Sequence, residues 1–298
     1  MQKLFQFKFY FMLIFLALFI VGCSDTTDEE SSADTAEETE EVDTEEDATD
    51  DVPDNLIAIQ GALDVEVSAA LEQMDDYETE VHDNYTFYVG EIDGTPLVIS
   101  RTEVGMVHAA ASTATLIDTY DPELIINQGT AGGHNPDLDV FDIIIGTEVM
   151  NIGMYNTDHL GEGDGIKPKD WEMQPTRMRE GDDMEMYDVF ESDADLVETA
   201  LGIADDYENG KVIEGKIGSA DVWNREIDRI NWFHEEHGTD GEEMEAAAVA
   251  QVAQNNDVPY LSVRIISNSE VSDDDTEDLE TAGHYCMEFS IEIAKELN

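Results

Sequence analysis

Three polar constellations in this 298-residue chain combine residue types and spacings that can do chemistry. Glu243-Met244-Glu245 stands directly before the apolar run Ala246-Ala247-Ala248-Val249-Ala250. A carboxylate beside a helix that enters the core is costly to bury unless it accepts hydrogen bonds, and sugar hydroxyls are one source of donors. Gly129-Thr130-Ala131-Gly132-Gly133 follows an apolar strand, where glycines let backbone N–H groups approach a ligand or simply make a tight turn. Glu66 lies one helical turn past Gly61, as a dipole partner or a reactive carboxylate. At the end of the last strand, Arg264 and Asn268 flank Ser267, a place for either a base-reading or a structural side chain. Trp223, within Gly218-Ser219-Ala220-Asp221-Val222-Trp223-Asn224, has the ring to stack on a heterocycle or to fill a core.

Other chemistries find little support. His108, His134, His159 and the remaining histidines lack metal-ligand spacing, so no metal is expected. Ser, His and Asp are present without a Gly-X-Ser-X-Gly motif to organise a nucleophile, and nothing implies a cofactor.

The elements that must position these residues follow from apolar periodicity. A short strand over 56–59 runs through Gly61 into a helix over 64–74, the opening of an α/β unit. Segments 87–92 and 97–100 form a hairpin across Asp93-Gly94. Next come an Ala-rich helix over 107–119 and strands over 124–126 and 142–149, and residues 151–192 then lose periodicity. Helix, strand, helix and strand return at 195–207, 212–217, 243–255 and 260–266, before a closing amphipathic helix over 281–297. Such alternation predicts a single α/β domain over 55–298, a three-layer sandwich around a mixed, mostly parallel sheet with ligands at the carboxyl ends of its strands.

Composition sets the surroundings. Asp and Glu number 72 against 13 Lys and Arg, for a net charge of −59, which excludes nucleic acid and anionic membranes as partners. Residues 24–54 carry 16 of those acids and no base, so most of the excess sits on the folded part. Self-repulsion of that size is relieved where the Debye length is about 3 Å, as at 1 M salt, and reads as adaptation to a saline medium. Lys3 and Lys8 precede an apolar stretch ending in Ile20-Val21-Gly22-Cys23, which resembles a bacterial lipobox. Residues 1–22 are accordingly a lipoprotein signal peptide, Cys23 the lipidated first residue, and 23–54 an acidic disordered tether. The expected location is extracytoplasmic, with the lipid as the only membrane contact. Two cysteines, Cys23 and Cys286, cannot make a disulfide framework.

Taken together, Gly61-Ala62-Leu63-Asp64-Val65-Glu66, Gly129-Thr130-Ala131-Gly132-Gly133, Glu243-Met244-Glu245-Ala246 and Arg264-Ile265-Ile266-Ser267-Asn268 resemble the successive motifs of the nucleoside phosphorylase and nucleosidase superfamily. The pattern is nearest that of bacterial 5′-methylthioadenosine/S-adenosylhomocysteine nucleosidases. The resemblance implies that Glu66 positions or deprotonates an attacking water and that Glu245 holds the ribose hydroxyls above Met244. It implies that Thr130, Ala131 and Gly132 line sugar and base, that Leu63 lies near the 5′ substituent, and that Glu243, Ser267 and Trp223 border the substrate. A homodimer is implied in the same way.

The chain departs from that pattern at Asn268, where the nucleosidases carry Asp. An amide cannot supply a proton, although it can donate an N–H to purine N7. Other branches that bind 6-oxopurines also place Asn near the base, so the base is left open. Phosphorylases of the superfamily place an Arg before the glycine run, where this chain has Asn127-Gln128. Bound phosphate needs Lys or Arg, so hydrolysis of a purine nucleoside is the leading expectation. Phosphorolysis, or nucleoside binding with little catalysis, stand as alternatives.

Overall fold

The computed structural model describes residues 55–272 and 276–298. The residues read from the sequence as a signal peptide (1–22), a lipidation site (Cys23) and a tether (23–54) lie outside the described residues.

The chain opens with β1 (Ile57–Gly61), α1 (Asp64–Gln73), β2 (Tyr77–His82), β3 (Tyr85–Ile92), β4 (Thr95–Arg101), α2 (Met106–Tyr120) and β5 (Leu124–Gly133). The β3–β4 hairpin turns at Asp93 and Gly94, both with positive φ, as that dipeptide demands. Then come β6 (Ile143–Asn151), β7 (Tyr155–Asn156), β8 (Glu172–Met173), β9 (Thr176–Glu180), β10 (Asp183–Tyr187) and β11 (Phe190–Glu191). The last part holds α3 (Ala194–Gly202), β12 (Val212–Ser219), α4 (Ile227–Trp232), β13 (Gly241–Glu243), α5 (Ala246–Asn255), β14 (Tyr260–Ser269) and α6 (Leu279–Leu297).

The layers are those of an α/β sandwich. One apolar core joins the sheet to α1, α3 and α6 through residues such as Val67, Leu196 and Ile291, and a second joins it to α2 and α5 through Leu116 and Val249. The sheet is mixed. Parallel runs β4–β1–β5–β14 and β6–β12–β13 are joined by the antiparallel pairs β14–β6 and β13–β5. Strands β6, β12, β13, β5 and β14 therefore pair in a closed circuit, and β1, β4, β3 and β2 extend from its β5 side.

Four local differences from the sequence expectation have physical causes. The glycine run is not a turn: β5 continues through Gly133, because β14 on one side and β13 on the other supply partners for its backbone. Strand β2 is not among the predicted elements: Tyr77–His82 alternates Tyr, Thr and Val with Glu, Glu and His, but it is mostly exposed at a sheet edge and carries no run of large apolar residues. The segment 151–192 is not wholly irregular; it holds the β9–β10 hairpin and the β7–β8 pair, both separate from the main sheet. Helix α5 starts at Ala246 instead of 243, since Glu243 belongs to β13 and Glu245 is the residue capping the helix.

Candidate functional site

The strands β1, β5, β13 and β14 end around one cavity of about 280 Å³. It is lined by Leu63 and Glu66 after β1, Thr130, Ala131 and Gly132 on β5, Trp223 after β12, Glu243, Met244 and Glu245 at β13, and Ser267 and Asn268 on β14, whereas Arg264, which the sequence also singled out, does not reach it. Neither Lys nor Arg lines it. A roomier groove of about 410 Å³ beside α6 is a surface channel lined largely by Asp206, Glu208, Glu288, Glu292 and Glu296, with no comparable convergence of donors and acceptors.

Glu66 is 3 % exposed and its carboxylate is fully engaged. Oε2 accepts from the backbone N–H groups of Ala62 (2.8 Å) and Leu63 (3.0 Å), closing the first turn of α1. Oε1 accepts from Thr130 N (2.8 Å) and from the Thr130 hydroxyl (2.9 Å). A carboxylate offers about four lone-pair positions. Water can therefore reach Glu66 only by displacing a donor, and the rotatable Thr130 hydroxyl is the one free to turn. Gln128 ties the same helix to β5 by donating from Nε2 to the Glu66 carbonyl (2.7 Å).

Gly129 is required here by space. A Cβ at this position would lie 2.5 Å from Arg264 Nη1 and 2.9 Å from Glu66 Oε1. Arg264 is 1 % exposed and stands behind the cavity wall, where Nη2 pairs with Glu243 Oε2 (2.8 Å) and donates to Asn127 Oδ1. Burial opposes its charge, but Glu243, Glu245 and Glu66 more than offset that and keep the guanidinium protonated. Asn127 and Gln128, which occupy the phosphate-arginine region of the phosphorylase pattern, are thus bonded to Arg264 and to α1.

Glu243 and Glu245 divide the labour. Glu243 Oε2 also accepts from the N–H groups of Glu245 (2.9 Å) and Ala246 (2.8 Å), while Ser219 donates to Oε1. Glu243 borders the cavity, but its oxygens are occupied by protein donors. Glu245 is different. Its Oε1 accepts from Gly105 N at the start of α2 (2.8 Å), whereas Oε2 has only Arg264 Nη1 at 3.9 Å. That leaves acceptor capacity facing the cavity. Burial first, and then the charge of Glu243, push the Glu245 carboxyl up to about 8 against the pull of Arg264.

At the opposite wall, the Ser267 hydroxyl lies 3.1 Å from Asn268 Oδ1 and 3.4 Å from the Ala131 carbonyl. Trp223 is 64 % exposed at the cavity mouth, so it is not a core residue; Val104, Val222 and Leu279 make the rest of an apolar rim. Cys286 is buried beneath β5 and β14, and burial pushes its thiol up to about 12. Among the described residues, no group of three or more His, Cys, Asp or Glu is placed to hold a metal ion.

Sequence reasoning missed several contributors. Gly105 and Asp221 hold the start of α2, Asp221 accepting from Met106 N (2.8 Å). Glu242 lines the cavity and accepts from both Asn224 N (2.8 Å) and Asn224 Nδ2 (2.7 Å). His134, fully buried and stacked on Phe233, places Nε2 3.1 Å from Glu242 Oε2, an ion-pair distance without hydrogen-bond alignment. The adjacency of Glu242 to Glu243 was the only available signal, and it does not say which acid faces inward.

Comparison with known proteins identifies the family and the fold. Residues 56–296 match the family model described as the phosphorylase superfamily. The 5′-methylthioadenosine/S-adenosylhomocysteine nucleosidase of Bacillus thuringiensis (strain Al Hakam) is 30 % identical over 251 residues, covering 81 % of this chain and 99 % of that protein. Among solved structures, the corresponding nucleosidase from Neisseria meningitidis in complex with methylthio-immucillin-A superposes with a TM-score of 0.66 at 26 % identity, over 81 % of this chain and 99 % of that one. The futalosine hydrolase of Helicobacter pylori shares the fold, with a TM-score of 0.65 at 22 % identity over 81 % and 98 % of the two chains.

Proposed function

The chain belongs to the phosphorylase superfamily, and from that membership we propose that it is a purine nucleosidase, hydrolysing the N-glycosidic bond of 5′-methylthioadenosine, S-adenosylhomocysteine or a related purine nucleoside. The observation that carries this reading is Glu245: a buried carboxylate with one oxygen free toward a cavity that no cation lines. Ribose hydroxyls satisfy such an oxygen; a phosphate has nothing there to bind.

In this reading the sugar lies over Met244 with its hydroxyls donating to Glu245. The C1′–N9 bond breaks, its electron pair leaves with the purine, and positive charge builds on the ribose ring. Carboxylates beside the sugar favour that transition state over the ground state. Water, held by Glu66 once the Thr130 hydroxyl turns away, forms the new bond to C1′ and gives its proton to the Glu66 carboxylate, which returns it to solvent, while the purine anion takes up a proton from solvent. Asn268 Nδ2 steadies N7 of the departing base by hydrogen bonding, with no proton to transfer.

Purine release by the soluble domain in high salt, with and without phosphate, tests this; a strict phosphate requirement overturns it. A second reading, a nucleoside-binding protein with little turnover, draws on Asn268 and on the four protein donors around Glu66. Tight binding of intact nucleoside, unchanged in Glu66→Gln, marks that alternative.

The N-terminal pattern supports anchoring through a lipid on Cys23 outside the cytoplasmic membrane, which metabolic fatty-acid labelling lost in Cys23→Ala tests. The family resemblance supports a homodimer, and the net charge of −59 supports a salt-dependent fold. Sedimentation across a salt series reads both.

A further inference from the structure

Three neighbouring strands set Glu242, Gly132 and Asn268 in one row. In the register of the sheet, Gly132 of β5 is the partner of Glu242 on β13 and of Asn268 on β14. Adjacent strands are about 4.8 Å apart, so the two side chains stand on either side of a glycine with room between them for the edge of a heterocycle. Both lean over that glycine: a Cβ on Gly132 would lie 3.6 Å from Asn268 Nδ2 and 3.8 Å from Glu242 Cγ. All three residues line the cavity. The row thus presents a carboxylate, a bare backbone floor and a carboxamide.

The two walls differ in what they accept. A carboxylate is an acceptor only. The main-chain N–H on that side, Asn224 N, is already donated to Glu242 Oε1, as is Asn224 Nδ2 to Oε2. A ring nitrogen bearing a lone pair therefore meets a second acceptor there, with the nearest donors occupied, whereas a ring N–H finds an acceptor held in place by Asn224. On the other side the Ser267 hydroxyl lies on Asn268 Oδ1, which leaves Nδ2 as the donor over Gly132.

We propose that Glu242 and Asn268 read the edge of a 6-oxopurine, so that the preferred substrates are inosine- or guanosine-type nucleosides instead of adenosine-type ones. This rests on the purine nucleosidase reading above. A 6-oxopurine offers N1–H as a donor for Glu242 and O6 with N7 as acceptors for Asn268 Nδ2. Adenine keeps N7 as an acceptor for Asn268 Nδ2, but it sets N1 as an acceptor against Glu242 and a 6-amino donor beside Nδ2 where the 6-oxopurine has an acceptor. Failure to pair a buried charged group sets the size of the preference, roughly 10- to 100-fold.

The test compares kcat/KM of the purified full chain in high salt for inosine, guanosine, adenosine, 5′-methylthioadenosine and 5′-methylthioinosine, for wild type and Glu242→Gln. Equilibrium dialysis of hypoxanthine and adenine serves as a second arm. The expected result is a roughly 10- to 100-fold preference for 6-oxopurines that collapses toward unity in Glu242→Gln, whose carboxamide can donate to adenine N1. Wild-type preference for adenosine-type substrates, or a ratio indifferent to Glu242→Gln, overturns the proposal. Should no nucleoside be cleaved, the nucleosidase reading fails and the dialysis arm decides alone: tighter hypoxanthine binding supports edge reading, while equal or tighter adenine binding, or no binding of either base, overturns it.

Discussion

Arg264 Nη2 lies 2.8 Å from Glu243 Oε2, and both side chains are 1 % exposed. This buried pair braces the junction of β13 and α5, so the free oxygen of Glu245 two residues later is held by a charge that substrate never touches. Removing one partner of such a pair strands the other charge in a poorly solvated site, at a cost of about 3–5 kcal/mol. Arg264→Met should lower the denaturant midpoint accordingly. Glu243→Gln, which keeps an acceptor for the helix N–H groups, should cost less in the same titration.

Gly129→Ala puts a methyl group against Arg264 Nη1 and Glu66 Oε1 at distances real Cβ atoms do not adopt. Overpacking of this kind costs about 1–3 kcal/mol. Because the displaced atoms belong to the carboxylate proposed to hold water, kcat should fall together with the unfolding midpoint. A variant that loses stability but keeps full kcat contradicts the placement of Glu66.

The Glu245 carboxyl ionises near 8 in the folded chain and near its ordinary value of 4.5 when unfolded. Between those values the unfolded state binds fewer protons, so this group's contribution to stability is present below about 4.5 and lost as pH rises through about 8. Ribose binding should run the other way, since the ionised form accepts from more hydroxyls. KM is therefore expected to fall as pH rises through about 8 in wild type and to lose that limb in Glu245→Gln, measured as KM against pH.

Asn268→Asp restores a group that can protonate the departing base. General acid assistance typically contributes 10²- to 10⁴-fold. With 5′-methylthioadenosine as substrate, kcat should rise at least tenfold, with an acidic limb in its pH profile that wild type lacks. An unchanged kcat means that base protonation does not limit the reaction.

Much of this site was legible in the sequence because it sits where local rules are strong. Glycines after an apolar strand, and a carboxylate before an Ala-rich helix, are visible within a few residues, and Thr130, Ala131, Gly132, Glu243, Met244 and Glu245 from those two runs line one cavity. What escaped was set by distant pairing. The run Gly129–Gly133 reads as a turn until β13 and β14 are known to flank it. Glu242 reads as one more acid in an acidic chain until its register with Gly132 and its bonds to Asn224 are known. Strand β2 alternates Tyr77, Thr79 and Val81 with Glu78, Glu80 and His82, but so short and polar an alternation at an exposed sheet edge carries no run of large apolar residues to announce it. Trp223 was open between core and ligand, and only its exposure at the cavity mouth decides against the core.

Hydrolysis at this site turns on Glu66 serving the attacking water. Its most direct measurement is kcat for purine release from a purine nucleoside in phosphate-free, high-salt buffer, for wild type and for Glu66→Gln. The expected result is wild-type release without phosphate, free ribose sugar as the other product, and a loss of about 10²-fold or more in Glu66→Gln. Release that appears only with phosphate, or a Glu66→Gln enzyme as fast as wild type, contradicts it.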